Sequence, residues 1–288
     1  MKIAIMTDVN AGLDYVGYDT GIYCLRSSIN FPNQEPLVDG IDIKADEFYE
    51  RIKNIKKSSE IPSTSAPSVA DIYATLDSLI ENGYTDVIHF PISFELSSTG
   101  QTVQTLADEY ADKIKVHVVN TKTAAYVQGY IALEAKRLAD AGKSVEEIIE
   151  HSEYLINNNR VYFLVDDLNY LVKNGRLSNA AGFLGSLFKI KPILSIRESG
   201  KIESIEKVRT YQKAIKRVEE LILEFVGSHE KVEVFGFHSN NLTSLNELLS
   251  GVSEQNSKLS NYSIHYITPA VGAHIGCGVI GIAVFKLK

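Results

Sequence analysis

The 288-residue chain exceeds the usual size of one domain, and its 44% apolar residues suffice for an ordinary core, so two domains or one large α/β unit are expected. With 29 basic and 36 acidic residues the net charge is −7, and no run of lysines offsets it; the balance disfavours phosphate backbones and anionic lipid surfaces, and no nucleic acid is expected as partner. Cys24 and Cys277 stand far apart, with neither a disulfide framework nor CxxC spacing, and no apolar stretch reaches membrane-spanning length. The opening "MKIAIMTDVN" has only a short apolar core, cut off by Asp8, unlike a secretory leader. A cytoplasmic protein with two free thiols and no stable membrane insertion is the expectation.

Short β-branched runs punctuate the chain: "KIAIMT", "DVIHFPI", "KVHVVN", "RVYFLV", "KPILSI", "KVEVFGFHS" and "YSIHYI". Helical periodicity separates many of them, the alternation of an α/β protein. The first clear helix lies in "PSVADIYATLDSLIENG", where Val69, Ile72, Leu76, Leu79 and Ile80 form one stripe, Pro67 suits the first turn and Gly83 closes the end. Two consecutive helices follow at about 123 to 141 and 144 to 157, with "AGKS" at 141 to 144 as the turn between them, Arg137 standing where a Walker loop needs its first glycine. A different rhythm of strands begins after Asn159, which predicts an N-terminal α/β domain over 1–158 and a C-terminal one over 159–288. Next, "VDDLNYL" reads as a helix start with acidic residues on its positive end. Ser178 then caps a helical stripe of Ala180, Ala181, Phe183, Leu184, Leu187 and Phe188. A core helix explains that stripe, while Gly182, Gly185 and Ser186 leave gaps that can admit an apolar ligand. Near the end, "TPAVGAHIGCGVIGIAVF" sets glycines around His274.

Two hydroxyl-rich loops stand immediately before helices: "STSAPS" at 63 to 68, and "ISFELSSTGQ" at 92 to 101 after the run ending at Phe90. The second falls at the carboxyl end of a strand, where open α/β sheets bind ligands, and both offer free amides to an anionic head group. The plainer account is that Thr64 and Ser97 only cap helices. No GxSxG elbow, HExxH or paired-carboxylate spacing is present, so metal chemistry and a familiar serine nucleophile lack their signatures.

Taken together, these segments resemble the DegV family of bacterial fatty-acid-binding proteins. "TDVNAGL" at 7 to 13 is similar to its TDSxxDL, "PSTSAPS" to PxTSQPS, "ISFELSSTGQ" to ISSGLSGTYQ, "LNYLVKNGRLS" to LxYLxKGGRIS, "IKPIL" to IKPIL and "VGAHIGCGVIG" to IGTHTGPGALG. The resemblance implies two α/β domains with a long-chain fatty acid in a lipid-binding pocket between them. It further implies a non-catalytic carrier without cofactor or metal, whose acid is phosphorylated by a separate fatty-acid kinase to acyl phosphate for phospholipid metabolism. Carried over by motif, Thr64, Ser93 and Ser97 would hold the carboxyl, supported by Arg176 and His274. Phe94, Ala181, Phe183, Leu184, Leu187 and Phe188 are the acyl-pocket candidates, and the chain is expected to act as a monomer. The chain departs from the pattern where Phe94 and Glu95 replace Ser-Gly, Ser98 replaces Gly, Gly100 replaces Tyr, Ala66 replaces Gln, Val9 replaces Ser and Cys277 replaces Pro. Two alternatives stand beside the carrier: an acyl hydrolase with Ser97 or Ser93 as nucleophile and His274 as base, and a lipid sensor acting through a protein partner. A histidine at that place is expected to change charge between about pH 5 and 8.

Overall fold

All seven β-branched runs are strands in the computed structural model of the protein, which describes residues 2–178, 190–196 and 198–288. The N-terminal half builds a four-stranded parallel sheet from β1 (Ile3–Asp8), β2 (Tyr23–Leu25), β6 (Asp86–Phe90) and β7 (Lys115–Val118), in the order β2-β1-β6-β7. A three-stranded antiparallel sheet of β3 (Ser28–Asn30), β4 (Leu37–Val38) and β5 (Ser63–Ser65) sits beside it. The C-terminal half forms one mixed sheet, ordered β10-β9-β8-β13-β11-β12, from β8 (Asn159–Leu164), β9 (Lys191–Ile196), β10 (Ile202–Val208), β11 (Val232–His238), β12 (Tyr262–Tyr266) and β13 (Ile280–Lys286). No described strand before Asn159 pairs with one after it, so the chain forms two α/β domains.

Alternation along the strands decides what each sheet face meets. In β1 and β6, Ile5, Ile88 and Phe90 face a central core, whereas Ala4, Met6 and Val87 face an outer one. That outer core is closed by α2 (Val69–Glu81) and α3 (Thr99–Ala107). In β8 and β13, Val161, Phe163, Ala283 and Phe285 turn to the same central core, while Tyr162, Leu164, Ile282 and Val284 pack under α7 (Tyr211–Val226) and α8 (Leu242–Gln255). The central core therefore belongs to both domains. Into it go α1 (Ala45–Ile52), α4 (Ala125–Asp140), α5 (Val145–Asn157), the short α6 (Asn169–Lys173) and α9 (Pro269–Ile275).

Local chemistry sets the helix boundaries. Ser68 and Ser144 each make a reciprocal capping box with the acid three residues on, Asp71 and Glu147. The cap at Ser68 leaves Pro67 outside α2, and Val69 is 45% exposed, so the buried stripe narrows to Ile72, Leu76 and Leu79. The turn between α4 and α5 is the one expected at "AGKS", with Gly142 at φ 76. Asp167 Oδ1 accepts from Asn169 N at 2.8 Å at the start of α6. Ser178 N donates to Ile202 O at 3.0 Å; the helical stripe expected beyond it lies outside the described residues.

Candidate ligand-binding site

Side chains from both domains enclose a cavity of about 220 Å³ beyond the carboxyl ends of β1 and β6. Its polar lining includes Asn10, Thr64, Ser97, Arg176 and His274, and its apolar lining includes Ile92, Leu96, Ile202 and Ile275. Ala66 and Ser98, both exposed, stand at its edge. Four of the five carboxyl-binding residues expected from sequence thus meet at one place, although they come from β5, the loop after β6, the segment after α6, and α9.

Each is held by a definite contact. Thr64 does not cap a helix; its Oγ1 lies 2.8 Å from His274 Nε2, joining β5 of one domain to α9 of the other. Ser97 lies just before α3, with its Oγ 3.0 Å from Thr99 Oγ1 and 3.3 Å from the Thr99 N–H it accepts. The Arg176 guanidinium is fixed by carbonyl oxygens, Nε to Leu96 O at 3.0 Å and Nη1 to Asn174 O at 2.5 Å. Among the described residues no carboxylate pairs with it. Its charge is held at the cavity wall, available to an anion.

His274 is mostly buried, and its Nδ1 has no hydrogen-bond partner among the described residues. Burial first, and the charge of Arg176 second, push its pKa down to about 4. This corrects the expected change of charge between pH 5 and 8: the imidazole stays neutral there, acting on Thr64 as a hydrogen-bonding group. Beneath the site, burial raises the Asp8 carboxyl above its ordinary value, against the hydrogen bonds from Gln128, Ile92 and Asn10. Asp39 accepts from Ala270 N at 2.7 Å at the start of α9, and burial pushes it up to about 7.

Ser93 does not join the lining. It is fully buried, and its Oγ donates to Gly200 O at 2.8 Å, so the hydroxyl serves the contact between the domains. Phe94 is also outside the cavity lining, because its ring lies over Gly100: a Cβ there would stand 2.2 Å from Phe94 Cε1. Glu95 is exposed and faces Lys201 at 3.5 Å. The remaining acyl candidates, Ala181, Phe183, Leu184, Leu187 and Phe188, lie outside the described residues. Asn10 was not foreseen; it sits within "TDVNAGL", where an amide side chain two positions after Asp8, the end of β1, was the available signal.

The arrangement can hydrogen-bond and neutralise one small anionic group against an apolar wall. The hydrolase alternative requires a serine on His274, but Nε2 is taken by Thr64, and Ser97 and Ser93 turn to Thr99 and Gly200. Among the described residues no three His, Cys, Asp or Glu side chains are grouped to hold a metal, and no helix is long and apolar enough to cross a membrane.

A family profile described as uncharacterised protein, DegV family, matches residues 2–287. The chain belongs to the DegV family. It is 33% identical over 286 residues to a DegV domain-containing protein of Streptococcus pneumoniae, covering 98% of each chain. A DegV domain-containing protein of Staphylococcus aureus is 31% identical over 285 residues, covering 98% of this chain and 96% of that one. Among solved structures, the fatty-acid-binding DegV protein of Streptococcus agalactiae superposes with a TM-score of 0.90 at 27% identity, covering 100% of both chains. DegV of Bacillus subtilis, described as a fatty-acid-binding protein, gives 0.85 at 30% identity, also with 100% coverage of both. Within the DegV pattern, Phe94 and Gly100 are one paired departure: the phenylalanine ring fills the space that a tyrosine at 100 would need, so the added bulk does not enter the cavity.

Proposed function

We propose that this DegV protein binds one long-chain fatty acid with its carboxyl in the cavity, and presents that carboxyl to a separate fatty-acid kinase for acyl-phosphate formation in phospholipid metabolism. The supporting observation is the convergence of Thr64, Ser97, Arg176 and His274 on one cavity with apolar walls, beside the exposed edge at Ala66 and Ser98. A carboxylate taken from water into such a place needs hydrogen bonds and a nearby positive charge, which these residues supply. Because Arg176 is anchored on carbonyls and His274 is neutral, the acid is oriented without being buried in a network of opposite charges. The chain itself performs no covalent step in this reading, and Ser93 fastens the domains together instead of touching the ligand. It acts in the cytoplasm as a monomer, with the fatty acid and the kinase as its partners.

The test mixes the purified protein with oleate, ATP and magnesium, alone and with a bacterial fatty-acid kinase, and traps acyl phosphate with hydroxylamine. Product is expected only with the kinase present. Product without it would overturn the carrier reading, and product in neither mixture would favour the sensor alternative.

A further inference from the structure

We infer that Asn10 is a further contact for the ligand's head group, an inference that rests on the fatty-acid reading above. Asn10 is 6% exposed and lines the same cavity as Thr64, Ser97, Arg176 and His274. It lies in the single turn that follows β1, closed by Gly12 at φ 72, and its Nδ2 donates to Asp8 Oδ1 at 2.8 Å. Asp8 is itself immobilised: Gln128 Nε2 reaches the same oxygen at 2.9 Å, and Ile92 N reaches the other at 2.9 Å. Gln128 Nε2 also stands 3.0 Å from both Thr7 Oγ1 and Phe90 O, tying the cluster to two strands of the sheet.

This cluster presets the amide. With three donors converging on it, the Asp8 carboxyl is an acceptor, so Asn10 presents its nitrogen there and keeps its oxygen and the second Nδ2 hydrogen for other partners. A ligand that fills the cavity strips water from that amide, and a buried amide left without a partner is costly. Methylenes offer nothing to it. Only the polar end of the ligand can satisfy it, which places Asn10 with the hydroxyls and not with Ile92, Leu96 or Ile275 on the acyl walls. The donor meets an ionised carboxylate, and donor and acceptor together meet a protonated carboxyl, a property that Arg176, which only donates, does not provide. The competing account is that Asn10 only staples the turn to Asp8.

The two accounts separate by displacement of a fluorescent fatty acid from wild type, Asn10→Leu and Asn10→Ser, with oleate and methyl oleate as competitors and thermal melts as the check on folding. Oleate affinity is expected to fall roughly tenfold or more in both variants, from the loss of a head-group hydrogen bond. Methyl oleate, which donates no proton and carries no charge, is expected to lose less. If Asn10→Leu does not fold, the shorter Asn10→Ser carries the comparison. Unchanged oleate affinity in a folded variant, or equal losses for acid and ester, would overturn the inference while leaving the fatty-acid reading intact. A wild-type protein that binds no oleate would remove both.

Discussion

Thr64 shows how one side chain can be read two ways until its partner is known. From sequence alone its hydroxyl could cap α2, but Ser68 makes that cap, and Thr64 turns inward to His274, 210 positions away in the chain. Chain patterns carry no information on such pairs, because the contact is made by the docking of β5 against α9. Ser93 is the opposite case: its motif suggested a ligand contact, and the backbone of the other domain took its hydroxyl. Residue chemistry also sets a pH dependence. Asp39 rises from 3.8 unfolded to about 7 folded, chiefly through burial, with Asp14 raising it further and Arg26 opposing. The folded state then binds more protons than the unfolded one between those values, so this residue's contribution to stability falls as pH rises through that window. Asp39→Asn removes the titration. In thermal melts, the melting temperature of Asp39→Asn relative to wild type should increase from about pH 4 to about pH 7 and then level off; a difference that stays constant with pH would refute this assignment.

At the scale of elements, long amphipathic segments and β-branched runs were legible, and the weakly patterned strands were not. β2, β3, β4 and β5 have only two or three residues each, too few for alternation to show. β10 carries Glu203, Lys207 and Glu206 among its seven residues and pairs with β9 across a bulge, so its periodicity is broken. β13 was hidden by the glycines before it, which drew the reading toward a site loop, although it lies within the sheet between β8 and β11. The candidate cavity's lining was legible where a motif marked it and obscure where only packing does. α4 illustrates the second kind: Tyr126, Val127, Ile131, Ala132 and Ala135 are all buried, so it has little exposed face. Gly129 lets this helix lie against the turn after β1, since a Cβ there would stand 2.4 Å from Ala11 O. Gly129→Ala should therefore destabilise the fold even though alanine favours an exposed helix by about 1 kcal/mol. A raised melting temperature would show that α4 can shift away from the turn without loss.

The whole molecule places the cavity lined by Thr64, Ser97, Arg176 and His274 where its two domains are fastened. Lys173 donates to Ile61 O at 2.5 Å, Tyr49 to Ile267 O at 2.9 Å, Arg176 to Leu96 O at 3.0 Å and Ser93 to Gly200 O at 2.8 Å, all across the division between the halves. The largest core cluster spans the same division, from Ile5 and Phe48 to Phe235 and Phe285. Bringing the domains together is thus what assembles the hydroxyls, the arginine and the histidine, and a carboxyl bound among them reports on the whole arrangement. The most direct measurement is the carbon-13 spectrum of oleate labelled at the carboxyl carbon, bound to wild type, Thr64→Val and Ser97→Ala. One bound resonance per chain, away from the free position, is expected in wild type and should move in each variant, with affinity falling by roughly 1 to 3 kcal/mol. A spectrum showing only free oleate, or a bound resonance indifferent to both substitutions, would contradict the placement of the carboxyl in this cavity.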